Sequence, residues 1–179
     1  MNNVVNHMKL RPYFGKYDYQ YLERWINDRR IHALWCADLI PYPVTAEAVA
    51  DILEKDAREW GGHAYIATGA EHEPIGFFSY SVNPGDNSGF LKFVILNPDL
   101  RGQGYGTQMI QCALRYAFDI TGVDSVRINV FDVNMAARRC YEKAGFRLES
   151  TTETAFRYGE ECWDRCGLVI RCQDYRKAE

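Results

Sequence analysis

Residues 93–107 read Phe93-Val94-Ile95-Leu96-Asn97-Pro98-Asp99-Leu100-Arg101-Gly102-Gln103-Gly104-Tyr105-Gly106-Thr107. A continuous apolar strand ends at Asn97-Pro98. Arg101 and three alternating glycines, Gly102, Gly104 and Gly106, then lead into a helix. Glycine takes positive φ without penalty and lets a ligand approach a backbone that carries no Cβ. The free N–H groups of a helix start point at whatever lies there, and the helix dipole favours an anion, so a diphosphate suits this turn. The plain alternative is a loop that only joins strand to helix, although glycines at a helix start lower helix propensity. A Rossmann dinucleotide turn has G-x-G-x-x-G straight after its strand. Here the spacing is Gly102-x-Gly104-x-Gly106, and Asn97–Arg101 intervene. A P-loop is excluded because no Gly-Lys-Ser/Thr follows.

Upstream of this turn, the pattern predicts a short strand at Lys9–Arg11 ended by Pro12. A helix is expected over Tyr17–Asn27, with Tyr21, Leu22, Trp25 and Ile26 on one face. Ile31–Pro43 reads as an irregular connection. A second helix starts after Thr45, a suitable N-cap, and stops at Gly61-Gly62. Strands follow at Ala64–Thr68, Ile75–Val82 and Gly89–Leu96, joined by segments of hairpin composition. Downstream, a helix from Gly104 to Thr121 carries the apolar stripe Met109, Ile110, Ala113, Leu114, Ala117 and Phe118. Then come a strand at Ser125–Phe131, a helix at Asn134–Ala144 and strands at Phe146–Tyr158 and Glu161–Cys172. Antiparallel strands followed by a strand–helix–strand crossover make an α/β domain with a mixed sheet.

The chain has 179 residues, a length that fits one domain over residues 1–179. Its net charge of −3 gives no broad basic surface, which argues against nucleic-acid binding. No apolar run approaches the roughly 20 residues of a membrane span. Met1–His7 is polar and lacks a signal-peptide core, so a cytoplasmic location is expected. The cysteines are expected to be reduced there. Cys162, Cys166 and Cys172 share strand parity with Leu168 and Ile170 and read as one buried face. With no Cys-x-x-Cys pair and no His at ligand spacing, no metal site is expected.

A second stretch, Asn129-Val130-Phe131-Asp132-Val133-Asn134-Met135-Ala136-Ala137-Arg138-Arg139-Cys140-Tyr141-Glu142-Lys143-Ala144-Gly145-Phe146, places Tyr141 seven positions after Asn134. That spacing is close to two helical turns, so the two side chains share a face. Alone, Asn134 reads as an N-cap and Tyr141 as a core aromatic.

Together, the two stretches resemble the GNAT superfamily of N-acetyltransferases. Its coenzyme motif, Arg/Gln-x-x-Gly-x-Gly/Ala, is matched by Arg101, Gly104 and Gly106. Its second signature, strand–Asn–helix with Tyr–Gly-Phe, is matched by Asn134, Tyr141 and Gly145-Phe146. The resemblance implies a GNAT fold, a mixed, mostly antiparallel sheet flanked by helices. It implies acetyl-CoA as co-substrate, with Gly102, Gln103, Gly104, Tyr105, Gly106 and Thr107 holding the pyrophosphate beside Arg101. Val94, Ile95 and Leu96 would pair with the pantetheine arm. Asn134 and Tyr141 would stand beside the thioester, Tyr141 as acid for the leaving thiolate. The flanks, Leu10-Arg11-Pro12 and Trp163-Asp164-Arg165, look most like the ribosomal-protein alanine N-acetyltransferase branch.

The acceptor is then an amine of a small molecule or a peptide N-terminus, with Trp35, Tyr42 and the C-terminal strands expected around it. Several family members carry a Glu base five positions before the motif Asn. Asn129 stands there in this chain, and it takes no proton. Asp132 and the Tyr158–Glu161 turn are the other places where a base could stand. A non-catalytic acyl-CoA sensor and a nucleotide-dependent oxidoreductase are the rival readings. No pattern fixes the oligomeric state, and a homodimer is left open.

Overall fold

The computed structural model describes residues 8–178. The polar lead-in at residues 1–7 lies outside the described residues. Seven strands form one sheet: β1 (Lys9–Pro12), β2 (His63–Thr68), β3 (Pro74–Asn83), β4 (Ser88–Leu96), β5 (Ser125–Phe131), β6 (Arg147–Tyr158) and β7 (Glu161–Arg171). Their spatial order is β1-β2-β3-β4-β5-β7-β6. Among the described residues only β4 and β5 run parallel; the other pairs are antiparallel. This is the mixed, mostly antiparallel sheet expected from the sequence. Its helices are α1 (Gly15–Trp25), α2 (Arg29–Cys36), α3 (Ala46–Trp60), α4 (Tyr105–Arg115), α5 (Met135–Lys143) and α6 (Cys172–Ala178).

Central strands are covered on both faces, so their burial is nearly continuous along β3. The two faces still divide the residues by parity. Phe77 and Ile66 point into a cluster with Leu22, Trp25 and Val49 of α1 and α3, whereas Phe78 and Ala67 face α4. Phe77 and Phe78 are both fully buried. Truncating such a side chain to Ala typically costs about 3–5 kcal/mol. The expected stripe is buried throughout, from Met109 on α4 to Phe118 in the turn that continues it.

Four local readings are corrected. The segment 31–43 is not wholly irregular: α2 occupies Arg29–Cys36. Asp28 caps it by accepting from the Ile31 N–H at 2.8 Å, and Ala37 ends it in the left-handed region at φ 51. A stop on alanine gives no glycine signal, so the helix reads as a loop. The helix after the glycine turn is α-helical only to Arg115; Tyr116–Thr121 continue it as a wider π turn. Here Tyr116 accepts from the Tyr65 hydroxyl, and Thr121 bonds the Tyr80 hydroxyl at 2.8 Å. Cys162 is exposed, while Cys166, Leu168 and Ile170 are buried. Near its start β7 buries the opposite parity, at Trp163, against Phe131, because the hairpin there leaves the main core. Cys172 opens α6 instead of ending the strand. No helix among the described residues is long and apolar enough to cross a membrane.

Candidate active site

The site arises where two parallel strands part. β4 and β5 pair from Ser88–Ser125 to Leu91–Ile128 and then stop. Beyond that point β5 is held by β7 as far as Phe131–Arg165. β4 is held by β3 as far as Leu96–Gly76, across an irregularity between Phe77 and Ser79. Phe93 sits at the divergence with φ 51, a conformation uncommon for an aromatic residue. Its carbonyl accepts the Trp35 Nε1–H at 2.8 Å, and the two rings lie 5.7 Å apart. Trp35 thus ties α2 to the bend. Val94, Ile95 and Leu96 are left without a strand on the β5 side, and their outer backbone edge faces a cleft.

The glycine turn closes one end of that cleft. Gly102 and Gly104 have φ of 76° and 88°, and a Cβ on either would meet nothing within 4 Å. Their glycines therefore serve backbone conformation and leave the backbone open. Gly106 has a different reason. A Cβ there would approach Cys140 Sγ to 3.2 Å, so its absence lets α4 lie against α5. Gly104 caps α4 with no side-chain hydrogen bond, so the first N–H groups of the helix keep no side-chain partner there.

α5 brings the second motif to the same cleft. The Asn134 side chain accepts from the Ala137 N–H at 3.3 Å, so it does cap the helix. Tyr141 packs beside Phe146 and is 6% exposed. Burial, with Cys140 beside it, pushes the Tyr141 phenol well above the usual tyrosine range. It therefore remains a proton donor across ordinary pH.

Two cavities meet here. The larger, of about 560 Å³, is lined by Val94, Ile95, Leu96, Arg101, Gly102, Gly104, Gly106, Thr107, Asn134 and Tyr141, together with Arg139 and Lys143. The smaller, of about 280 Å³, lies between the parted strands and is lined by Lys92, Phe93, Val94, Asn129, Val130, Phe131 and Arg165. Trp35, Asn134 and Tyr141 border both. Of the residues singled out in the sequence, Gln103, Tyr105 and Tyr42 stand apart. Gln103 donates through Nε2 to the Asp99 carbonyl at 2.9 Å, and Tyr105 packs against the core around α4. Tyr42 also lies off both linings; its hydroxyl donates to the Asn27 carbonyl at 3.2 Å.

Arg139 and Lys143 were missed. They follow the motif Asn by five and nine positions, which at 3.6 residues per turn puts them well off its face, so the helical pattern carried no signal for them. With Arg101 they give the larger cavity three cations, which suits phosphate groups. Among the described residues, no Asp or Glu lines either cavity. Asp132 instead accepts from the Asp164 N–H at 2.9 Å, and Glu161 pairs with Arg30 at 2.6 Å. The flanking cues have structural duties too. Arg11 pairs with the buried Asp18 at 2.7 Å, and Trp163 is fully buried.

Known proteins resemble this chain in sequence and in fold. Residues 28–146 match the profile of the acetyltransferase (GNAT) family. An aminoglycoside N(6')-acetyltransferase type 1 of Klebsiella pneumoniae is 25% identical over 150 residues, covering 78% of this chain and 74% of that one. A Vibrio cholerae spermidine N-acetyltransferase, solved with CoA and spermine, superposes with a TM-score of 0.80 at 20% identity, over 95% of this chain and 98% of that one. The same enzyme in a dodecameric intermediate state gives 0.75, at 20% identity over 97% and 99% of the chains.

Proposed function

The chain belongs to the GNAT family of acetyltransferases and carries acetyl groups from acetyl-CoA to amines, and from that premise we propose how its residues divide the work. The carrying observation is that the two cavities meet at Tyr141. The coenzyme lies along the larger one. Its pyrophosphate rests on the turn from Gly102 to Thr107, with Arg101, Arg139 and Lys143 answering its charge. Its pantetheine arm runs beside the unpaired edge of Val94–Leu96. The residues present fit such a ligand, because that wall is cationic, its turn is open where Gly102 and Gly104 carry no Cβ, and its edge strand has free backbone groups.

The coenzyme supplies a thioester already activated for acyl transfer. An acceptor amine enters through the smaller cavity, between Lys92–Val94 and Asn129–Phe131. The amine must be neutral to attack. Backbone N–H groups of the free strand edge are positioned to receive the developing oxyanion, an electrostatic contribution that needs no reorganisation. As the carbon–nitrogen bond forms and the carbon–sulfur bond breaks, Tyr141 donates its proton to the departing sulfur. Asn134 holds the start of α5 and so the position of Tyr141. With no carboxylate among the described residues of either lining, the amine proton leaves to water, and water returns a proton to Tyr141.

The acceptor is an amine of a small molecule or a peptide N-terminus. Acetyl-CoA turnover, followed as free thiol release, tests the reading against amino acids, polyamines, aminoglycosides and peptides with free N-termini. Release with at least one class is expected. Binding of acetyl-CoA without release for any of them would make the protein a coenzyme-binding module. Family membership replaces the oxidoreductase alternative.

A further inference from the structure

The chain carries more acidic than basic groups, 24 Asp and Glu against 21 Lys and Arg. The two cavities invert that balance, with five cations and no carboxylate among the described residues of their linings. Three of the five face the coenzyme's phosphates in the reading above. A fourth, Lys92, is already answered: it pairs with the buried Asp56, which also accepts from the Ser79 hydroxyl at 2.6 Å. Arg165 remains. It stands on β7 opposite Phe131 and two residues after the buried Trp163, and so shares that residue's face. No described side chain forms an ion pair or hydrogen bond with it. It is therefore an unanswered guanidinium on the acceptor side of the site, and the two amide side chains that share the lining, Asn129 and Asn134, are neutral.

We infer that Arg165 selects acceptors whose amine is accompanied by a carboxylate, as in an amino acid. The inference rests on the acetyl-transfer reading and narrows its acceptor. A guanidinium offers paired donors in a planar fork that matches a carboxylate, and such charge-assisted pairs are the strong ones. A polycationic acceptor finds the reverse. Each additional ammonium in the smaller cavity would face the unpaired Arg165, with no carboxylate among the described lining residues to receive it. The relatives named above include enzymes for aminoglycosides and spermidine, so the charge of this cavity sets the chain apart from their acceptors.

The test uses the full chain with acetyl-CoA and matched acceptors, amino acids against the corresponding amino-acid amides, with spermidine as the polycation. For the native chain, amino acids are expected to give the higher kcat/KM. In Arg165→Glu the ratio of kcat/KM for leucine over leucinamide should fall about tenfold or more, mainly through KM, as when one charge-assisted pair is lost. Comparing the same two acceptors in both proteins cancels their difference in amine basicity. Arg165→Gln should fall between, and Arg165→Lys should recover part of the ratio. Acetyl-CoA affinity measured on each variant verifies that it has folded. An unchanged ratio, or release with spermidine and with no carboxylate-bearing amine, overturns the inference while leaving acetyl transfer standing. Absence of release with every acceptor overturns both.

Discussion

Gly106 and Cys140 touch across two helices: a Cβ on Gly106 would stand 3.2 Å from the Cys140 Sγ and 3.7 Å from Leu96 Cδ2. The glycine therefore sets how closely α5, which bears Asn134 and Tyr141, lies to the glycine turn. Gly106→Val should lower stability by about 1–3 kcal/mol through overpacking. Combining it with Cys140→Ala should return part of the loss, as expected for coupled neighbours. Chemical denaturation of the four proteins of the cycle measures this, and strict additivity would show that the contact is not the cause.

Gly104 is held at φ 88 with open space where its Cβ would be. Gly104→Asp adds a negative charge at the start of α4 and a backbone conformation that suits few side chains. Its affinity for acetyl-CoA should fall about tenfold or more, against the smaller loss of Gly104→Ala, which carries the strain alone. Calorimetry separates the two. Equal losses would assign the effect to strain and remove the phosphate from the argument.

Tyr141→Phe keeps the ring against Phe146 and removes only the hydroxyl. Turnover should fall by ~10–10³-fold with little change in coenzyme affinity, the pattern of an interaction made in the transition state. Because burial pushes the phenol upward, the native enzyme should show no loss of kcat from Tyr141 ionisation below about pH 10. Full turnover in the mutant would mean that water protonates the thiolate.

Asp18 of α1 is 1% exposed and receives both nitrogens of Arg11 at 2.7 Å, with the Phe14 N–H at 2.8 Å. Burial works to raise its carboxyl; Arg11 and the Phe14 amide outweigh that and hold it below the usual range. A depressed folded pKa gives stability that is complete above the unfolded value of about 3.9 and is lost as pH falls through the lower, folded value. Asp18→Asn should cost about 1.5–3 kcal/mol at pH 7, and its deficit relative to the native chain should shrink below about pH 4. Urea unfolding across that range provides the measurement. A deficit that is constant with pH would show that the pair contributes by packing alone.

The absence of a lining carboxylate predicts that the acceptor's own basicity governs the pH profile. The α-amine of a peptide N-terminus, of pKa about 7.7–8.0, is roughly a tenth neutral near pH 7, against less than a thousandth for a lysine amine near 10.4. Matched α-amine and ε-amine acceptors should differ accordingly in kcat/KM at pH 7, with each profile rising toward the pKa of its own amine. Equal rates with an enzyme inflection near pH 6, removed by a single Asp or Glu substitution, would reveal a base the cavities do not show.

The sequence by itself determined what short-range physics controls. The apolar stripe of α4, the Thr45 and Asn134 caps and the glycine turn are each encoded within a few residues, and each is present. Motif spacing carried the family because seven helical positions put Asn134 and Tyr141 on one face whatever surrounds them. Tertiary structure decided the rest. The cleft exists because β4 follows β3 and β5 follows β7 after Leu91 and Ile128, and hydrogen-bond register between distant segments is not written in either segment alone. The same parting of strands brings Arg165 of β7 to a cavity shared with Asn134 and Tyr141 of α5. It also turns Asp132 away to the Asp164 amide. Local periodicity can say that a residue faces inward; only the packed sheet fixes which neighbours it meets there, because those neighbours are supplied by chain folding over long sequence separations.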